Sequence, residues 1–177
     1  HKYRWTQPYI YSDDEVLRII DAARQLQSKN GLRAPAYATL FRLLAVTGMR
    51  VSEAVGLDRR DVDLDEGILT LRRTKLGKTR LVPVQPSTLA VLRGYADRRD
   101  QLLGSSVSEG FFLSERGARV TGCGARYNFA KVSREVGLRA PAGGCRHGRG
   151  PRLHDMRHRF AVHALLAWYR AGRNVEA

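Results

Sequence analysis

Apolar positions in the first third of the chain recur at helical spacing. Ser12 and Glu15 form a capping box at the head of SDDEVLRIIDAARQL, and the apolar residues that follow fall on one helix face. Asn30-Gly31 is the expected stop of that helix. A second helix is predicted from about Ala34 to Val46, in PAYATLFRLLAVTG, broken by Thr47-Gly48. The stretch MRVSEAVGL then predicts a short third helix. At Ile68 the period changes from 3.6 to 2. ILTLRR and RLVPV read as two strands joined through TKLGKT, a hairpin over 68–84 with Gly77 in its turn. Helical spacing resumes from Pro86 to about Leu103. Phe111-Phe112-Leu113 predicts a further small strand. Helices are predicted over Gly124–Val136 and from Leu153 to about Ala171. Between them, RAPAGGCRHGRGPR is a Gly, Pro and Arg loop without period. No internal repeat occurs. The sum is an α+β class domain, mostly helical with one small antiparallel sheet. Residues 1–11, aromatic and basic without a period, read as a linker or arm leading into a domain over 12–177.

Composition adds a partner. Lys and Arg number 31 against 17 Asp and Glu, a formal net charge of +14 carried mainly by arginine. That balance points to a polyanion, most often nucleic acid. Acids and bases are interspersed, and no long basic amphipathic helix suggests a membrane surface. No apolar run reaches bilayer length and the start does not resemble a signal peptide, so a soluble, cytoplasmic, DNA-associated protein is expected. Cys123 and Cys145 make neither a metal-ligand nor a disulfide pattern, even with His147 near Cys145. No cofactor or metal is expected.

Three stretches carry candidate chemistry. In TGMRVSEAVGL, Arg50 opens a short helix after a glycine turn, and Glu53 lies three residues on, on the same side. An arginine there offers a forked donor pair to a phosphate, with the glutamate orienting the fork. An ordinary surface ion pair is the plain alternative. In RRTKLGKTRLVPV, Lys75 and Lys78 flank the hairpin turn, and Arg72, Arg73 and Arg80 stand on its arms. A hairpin tip reaches into a groove, where a lysine can meet the backbone and give a proton to a leaving oxygen; a solubilising turn is the alternative. In LHDMRHRF, His154 and Arg157 share a face at i, i+3 and can converge on one phosphate. Met156, Phe160, Ala164 and Leu165 read as its core side. His158 and His163 read as packing or capping residues within the domain. Arg152 and Arg159, beside this motif, are candidate DNA-backbone contacts.

In order and spacing, TGMRVSEAVGL, TKLGKTRLVPV and HDMRHRFAVH together resemble the tyrosine recombinases, the phage-integrase group of site-specific DNA recombinases, from about Thr6 onward. The resemblance implies that Arg50 and Arg157 clamp the scissile phosphate, that Lys75 protonates the departing 5′-oxygen, that His154 assists as acid, base or donor, and that Glu53 supports the site. Cations arranged beforehand around the charge of a phosphodiester transition state lower its barrier. It implies double-stranded DNA as partner and a tetramer on paired sites for a full-length protein, with a monomer expected for this chain. The family's later Gly-His element and its nucleophilic tyrosine have no match before Ala177. Tyr169 lies twelve residues past Arg157 and is expected, with Trp168, to pack the helix end. The chain therefore reads as a catalytic domain clipped at both ends, with no nucleophile of its own and not competent for cleavage alone. A non-catalytic DNA-binding relative, a type IB topoisomerase-like enzyme and, on charge alone, an RNA-binding protein are the competing readings.

Overall fold

The computed structural model describes residues 7–72, 79–104, 108–141 and 150–172. Among these the elements run α1 (Asp13–Arg24), α2 (Arg33–Thr47), α3 (Val51–Val55), β1 (Val62–Asp63), β2 (Ile68–Leu71), β3 (Arg80–Pro83), α4 (Pro86–Leu103), α5 (Gly122–Glu135) and α6 (Asp155–Arg170).

Local chemistry fixes most of the boundaries. The α1 capping box forms: Ser12 Oγ accepts from the Glu15 amide at 3.1 Å and Glu15 Oε2 accepts from the Ser12 amide at 2.8 Å. Val16, Ile19, Ile20 and Ala23 make its buried stripe. The helix stops at Arg24, six residues before the expected Asn30-Gly31 signal. Gln25 and Leu26 fold their amides back onto Ala22 and Ala23, and Glu115 takes the next turn by accepting from Ser28 Oγ (2.6 Å) and the Lys29 amide (2.5 Å). A long-range carboxylate thus outcompetes continued helix. Pro at the first turn starts α4 and Gly104 follows its last residue, both as expected. α5 begins two residues early because Thr121 Oγ caps the Gly124 amide at 3.0 Å.

Helix α2 is the centre. It is buried nearly all round, from Ala36 to Ala45, and α1, α3, α4, α5 and α6 pack on it. Phe41 of α2 meets Phe129 of α5 edge to face at 5.4 Å, and Tyr11 meets Phe129 at 6.3 Å. Tyr11, assigned from sequence to the arm, is 1% exposed and belongs to the core. The hairpin pairs antiparallel with Ile68 opposite Pro83 and Leu71 opposite Arg80. The two-residue β1, too short to read from alternation, adds a third strand in the order β1-β2-β3. The small strand expected at Phe111–Leu113 forms only isolated bridges, Asp58 with Gly110 and Leu113 with Arg119; its aromatic rings pack on Tyr95 instead.

The C-terminal helix corrects the expected core face. Met156 is fully buried, but Phe160 and Leu165 are exposed and Ala164 is half-buried. Trp168 and Tyr169, expected to pack the helix end, are 51% and 75% exposed, and His163 is exposed rather than packed. Periodicity marks a face as apolar without saying what lies over it. No helix among the described residues is long and apolar enough to cross a membrane.

Candidate active site

Helix α2 ends at Gly48, which is left-handed at φ 60° and returns its amide to Leu44. The turn delivers Arg50 as the N-cap of α3. Glu53, one turn on, is the hub. It accepts from the Arg50 amide at 2.7 Å, from Arg50 Nη1 at 2.9 Å and from Arg80 Nη2 at 3.3 Å. Burial pulls its pKa upward, but the backbone and side-chain hydrogen bonds from Arg50, with the charge of Arg80, outweigh burial and hold it below the ordinary carboxylate value. Glu53 is therefore a fixed anion. It orients Arg50, whose side chain stays 40% exposed, and ties β3 to α3. Arg80, read from sequence as a DNA contact, makes that tie while 44% of its side chain stays exposed.

Arg157 approaches from the other side. Its Nη1 donates to the carbonyl of Gly48 at 2.6 Å, two residues before Arg50. Phe160, one turn later on α6, lies against the same glycine. One turn of α6 thus carries a guanidinium and a ring that together brace the turn presenting Arg50.

Arg50 and His154 line one open cleft of about 900 Å³, with Ser52, Arg126, Arg139 and Arg152 around it and Gln7 and Tyr9 on its rim. His154 is the N-cap of α6, and its ring meets His158 at 5.3 Å and 82°. His158, expected to pack or cap within the domain, packs on the motif histidine. Though much of its surface faces solvent, partial burial of the His154 ring lowers its pKa below 6.5; His158 is the next cause, and Arg157 and Arg152 add to it against Asp155. At neutral pH the ring is neutral and can donate or accept.

The remaining expected contacts divide. Arg152 borders the cleft, 59% exposed, with Asp155 at 3.8 Å. Arg72 bonds Asp61 at 2.5 Å and keeps half its side chain in solvent. Arg159 is 14% exposed and pairs with Asp13 at the head of α1. Arg73, Lys75 and Lys78 lie outside the described residues. Arg126 and Arg139 were missed by the sequence reading. Arg126 is one basic residue among many on an amphipathic helix, and Arg139 gains its partners only through folding.

Comparison with known proteins follows this geometry. The family model described as "Phage integrase family" matches residues 10–168. The chain is 41% identical over 174 residues to an integrase/recombinase of Sinorhizobium fredii, y4rB, covering 96% of this chain and 54% of that protein. It is 31% identical over 165 residues to the tyrosine recombinase XerD of Staphylococcus epidermidis, covering 93% and 51%. Among solved structures, the XerA recombinase superposes with TM-score 0.72 at 27% identity, over 97% of this chain and 54% of that one. The lambda integrase catalytic core gives 0.61 at 21% identity, over 86% and 81%, a likeness of fold. The chain spans about half the length of the curated relatives it matches.

Proposed function

The chain belongs to the phage integrase family, the tyrosine recombinases, and we propose that it binds double-stranded DNA and activates a scissile phosphate for cleavage and rejoining through a 3′-phosphotyrosine. The observation that carries this is that Arg50 and His154 line one cleft while Arg157 grips the Gly48 carbonyl, two residues before Arg50. In this reading the Arg50 fork, set by Glu53, and the Arg157 guanidinium hold the non-bridging oxygens as charge builds on them. A tyrosine hydroxyl gives up its proton to solvent as its oxygen bonds to phosphorus and the bond to the 5′-oxygen breaks. Lys75 gives its proton to that oxygen, and His154 donates to the phosphate. Arg152, Arg72, Arg73 and Lys78 contact the flanking backbone. Solved proteins of this fold include XerH bound to its difH DNA substrate and a lambda integrase tetramer bound to a Holliday junction; a tetramer on paired DNA sites is the assembly we propose for the whole protein.

Hydrogen bonds to a charged group contribute about 1.5–3 kcal/mol, or roughly ten- to a hundredfold in affinity. Arg50→Ala and Arg157→Ala are each expected to weaken duplex binding by that order, read by fluorescence anisotropy at fixed salt. Unchanged affinity in both would remove the clamp.

One observation favours a reading in which this chain binds without cutting. Tyr169 stands twelve residues beyond Arg157 on α6, about 18 Å along the axis at 1.5 Å per residue, and is 75% exposed. We therefore do not assign it as nucleophile. Incubation with duplex DNA and denaturing gel analysis should show the same covalent adduct yield, including none, for the chain and its Tyr169→Phe variant. An adduct lost on that substitution would make Tyr169 the nucleophile.

A further inference from the structure

The segment Gly150–Leu153 runs directly into His154, and its backbone is gripped from outside. Arg139 Nε donates to the Pro151 carbonyl at 2.7 Å, with Nη2 at 3.4 Å from the Gly150 carbonyl. The Tyr11 hydroxyl donates to the Arg152 carbonyl at 3.0 Å. Asp155 Oδ2 accepts from the Arg152 amide at 2.7 Å. Three successive carbonyls and one amide are thereby held by side chains, and the Arg152 carbonyl also accepts from the Asp155 amide at 2.9 Å. Without the side-chain partners the Gly150 and Pro151 carbonyls would turn to water, and the strap would be less tightly held.

The anchors themselves are rigid. Tyr11 is 1% exposed, its ring wedged between Tyr9 (5.0 Å) and Phe129 (6.3 Å), and burial keeps its phenol protonated, hence a donor. Asp155 is 2% exposed. Gly150 sits at φ 142°, and a Cβ there would stand 2.8 Å from Arg139 Cγ. A side chain at 150 would push the guanidinium off its carbonyls. The strap has been shaped to admit Arg139, and it ends on the residue that lines the cleft opposite Arg50.

We propose that Arg139 and Tyr11 are positioning residues: they fix the Gly150–Leu153 strap and so seat His154 in the cleft beside Arg50. The consequence for DNA rests on the phosphate-site reading above; the seating of His154 does not, and can be measured without DNA.

The test follows the His154 ring by NMR titration in the intact chain. The wild-type ring titrates below 6.5, because it is partly buried and faces His158, Arg157 and Arg152 as well as Asp155. Tyr11→Phe changes no charge and keeps the ring packing, so it removes only the donor. It is expected to move the His154 titration up toward 6.5, as is Arg139→Lys, which keeps the charge but loses the fork onto the Pro151 and Gly150 carbonyls. Leu92→Ala, in the core of α4 and away from the strap, serves as a control for stability and should leave the titration in place. An unmoved titration in both strap variants, or an equal movement in Leu92→Ala, would overturn the proposal. Duplex affinity of the wild type and Arg50→Ala, read on the same samples, separates the two claims. A shifted titration with no Arg50 effect keeps the strap and sinks the phosphate site; the reverse keeps the site and sinks the strap.

Discussion

Raising salt from 50 to 200 mM is expected to weaken duplex DNA binding by on the order of a thousandfold, the response of a protein that neutralises about six phosphates. The chain has the charge for it, +14 in all. Several of these cations already have carboxylate partners, as Arg50 does in Glu53. Arg18, Arg24, Arg99, Arg119 and Arg159 are held by Asp14, Asp21, Asp100, Asp58 and Asp13. Arg80 is held by Glu53. Arg50, Arg126 and Arg152 line the cleft, and Arg157 bonds the Gly48 carbonyl two residues before Arg50. Each phosphate contact releases counterions, so affinity should fall log-linearly with salt. A nearly flat anisotropy titration across that range would argue for a partner other than nucleic acid.

Gly48→Ala is expected to cost roughly 2–5 kcal/mol of stability. A left-handed backbone costs an L-residue about 1–2 kcal/mol, and overpacking adds about 1–3. Both apply: Gly48 sits at φ 60°, and a Cβ there would lie 2.3 Å from Phe160 Cδ1. For a domain of this size that is a fall of roughly 10 °C in melting temperature, out of a total stability of about 5–15 kcal/mol. Gly137, at φ 76° just past α5 with nothing within 4 Å of its Cβ position, isolates the backbone part, and Gly137→Ala should lose only about 1–2 kcal/mol. Equal melting temperatures for the two variants would mean Phe160 yields freely. The Gly48 substitution reaches function as well, because the Gly48 carbonyl is what Arg157 grips.

What sequence could reveal depended on whether the deciding contact was local. The capping box of α1, the proline start of α4 and the Arg50–Glu53 pair all lie within four residues, and each formed as read. The family motifs were equally legible, because each fits within one helix or hairpin. The contacts that sequence did not reveal are long-range. Arg159 finds Asp13 across 146 positions, Glu115 reaches back 86 to stop α1, and Tyr11 reaches forward 141 to the strap. Arg80 shows the same limit within the site. Its place on a basic hairpin suggested DNA, and only folding brought it against Glu53. The apolar face of α6 was read correctly as apolar and wrongly as covered, since periodicity carries no information about a neighbour.

The proposed clamp holds DNA phosphate between Arg50 and Arg157. The salt dependence of duplex affinity in the Arg50→Ala/Arg157→Ala double variant, set against Arg18→Ala, tests it most directly. Arg18 is a surface arginine paired with Asp14 on α1. Loss of two phosphate contacts should make the salt slope shallower by about two, and the Arg18 variant should keep the wild-type slope. A double variant that keeps the wild-type slope, or an Arg18 variant that loses as much, would place the DNA elsewhere.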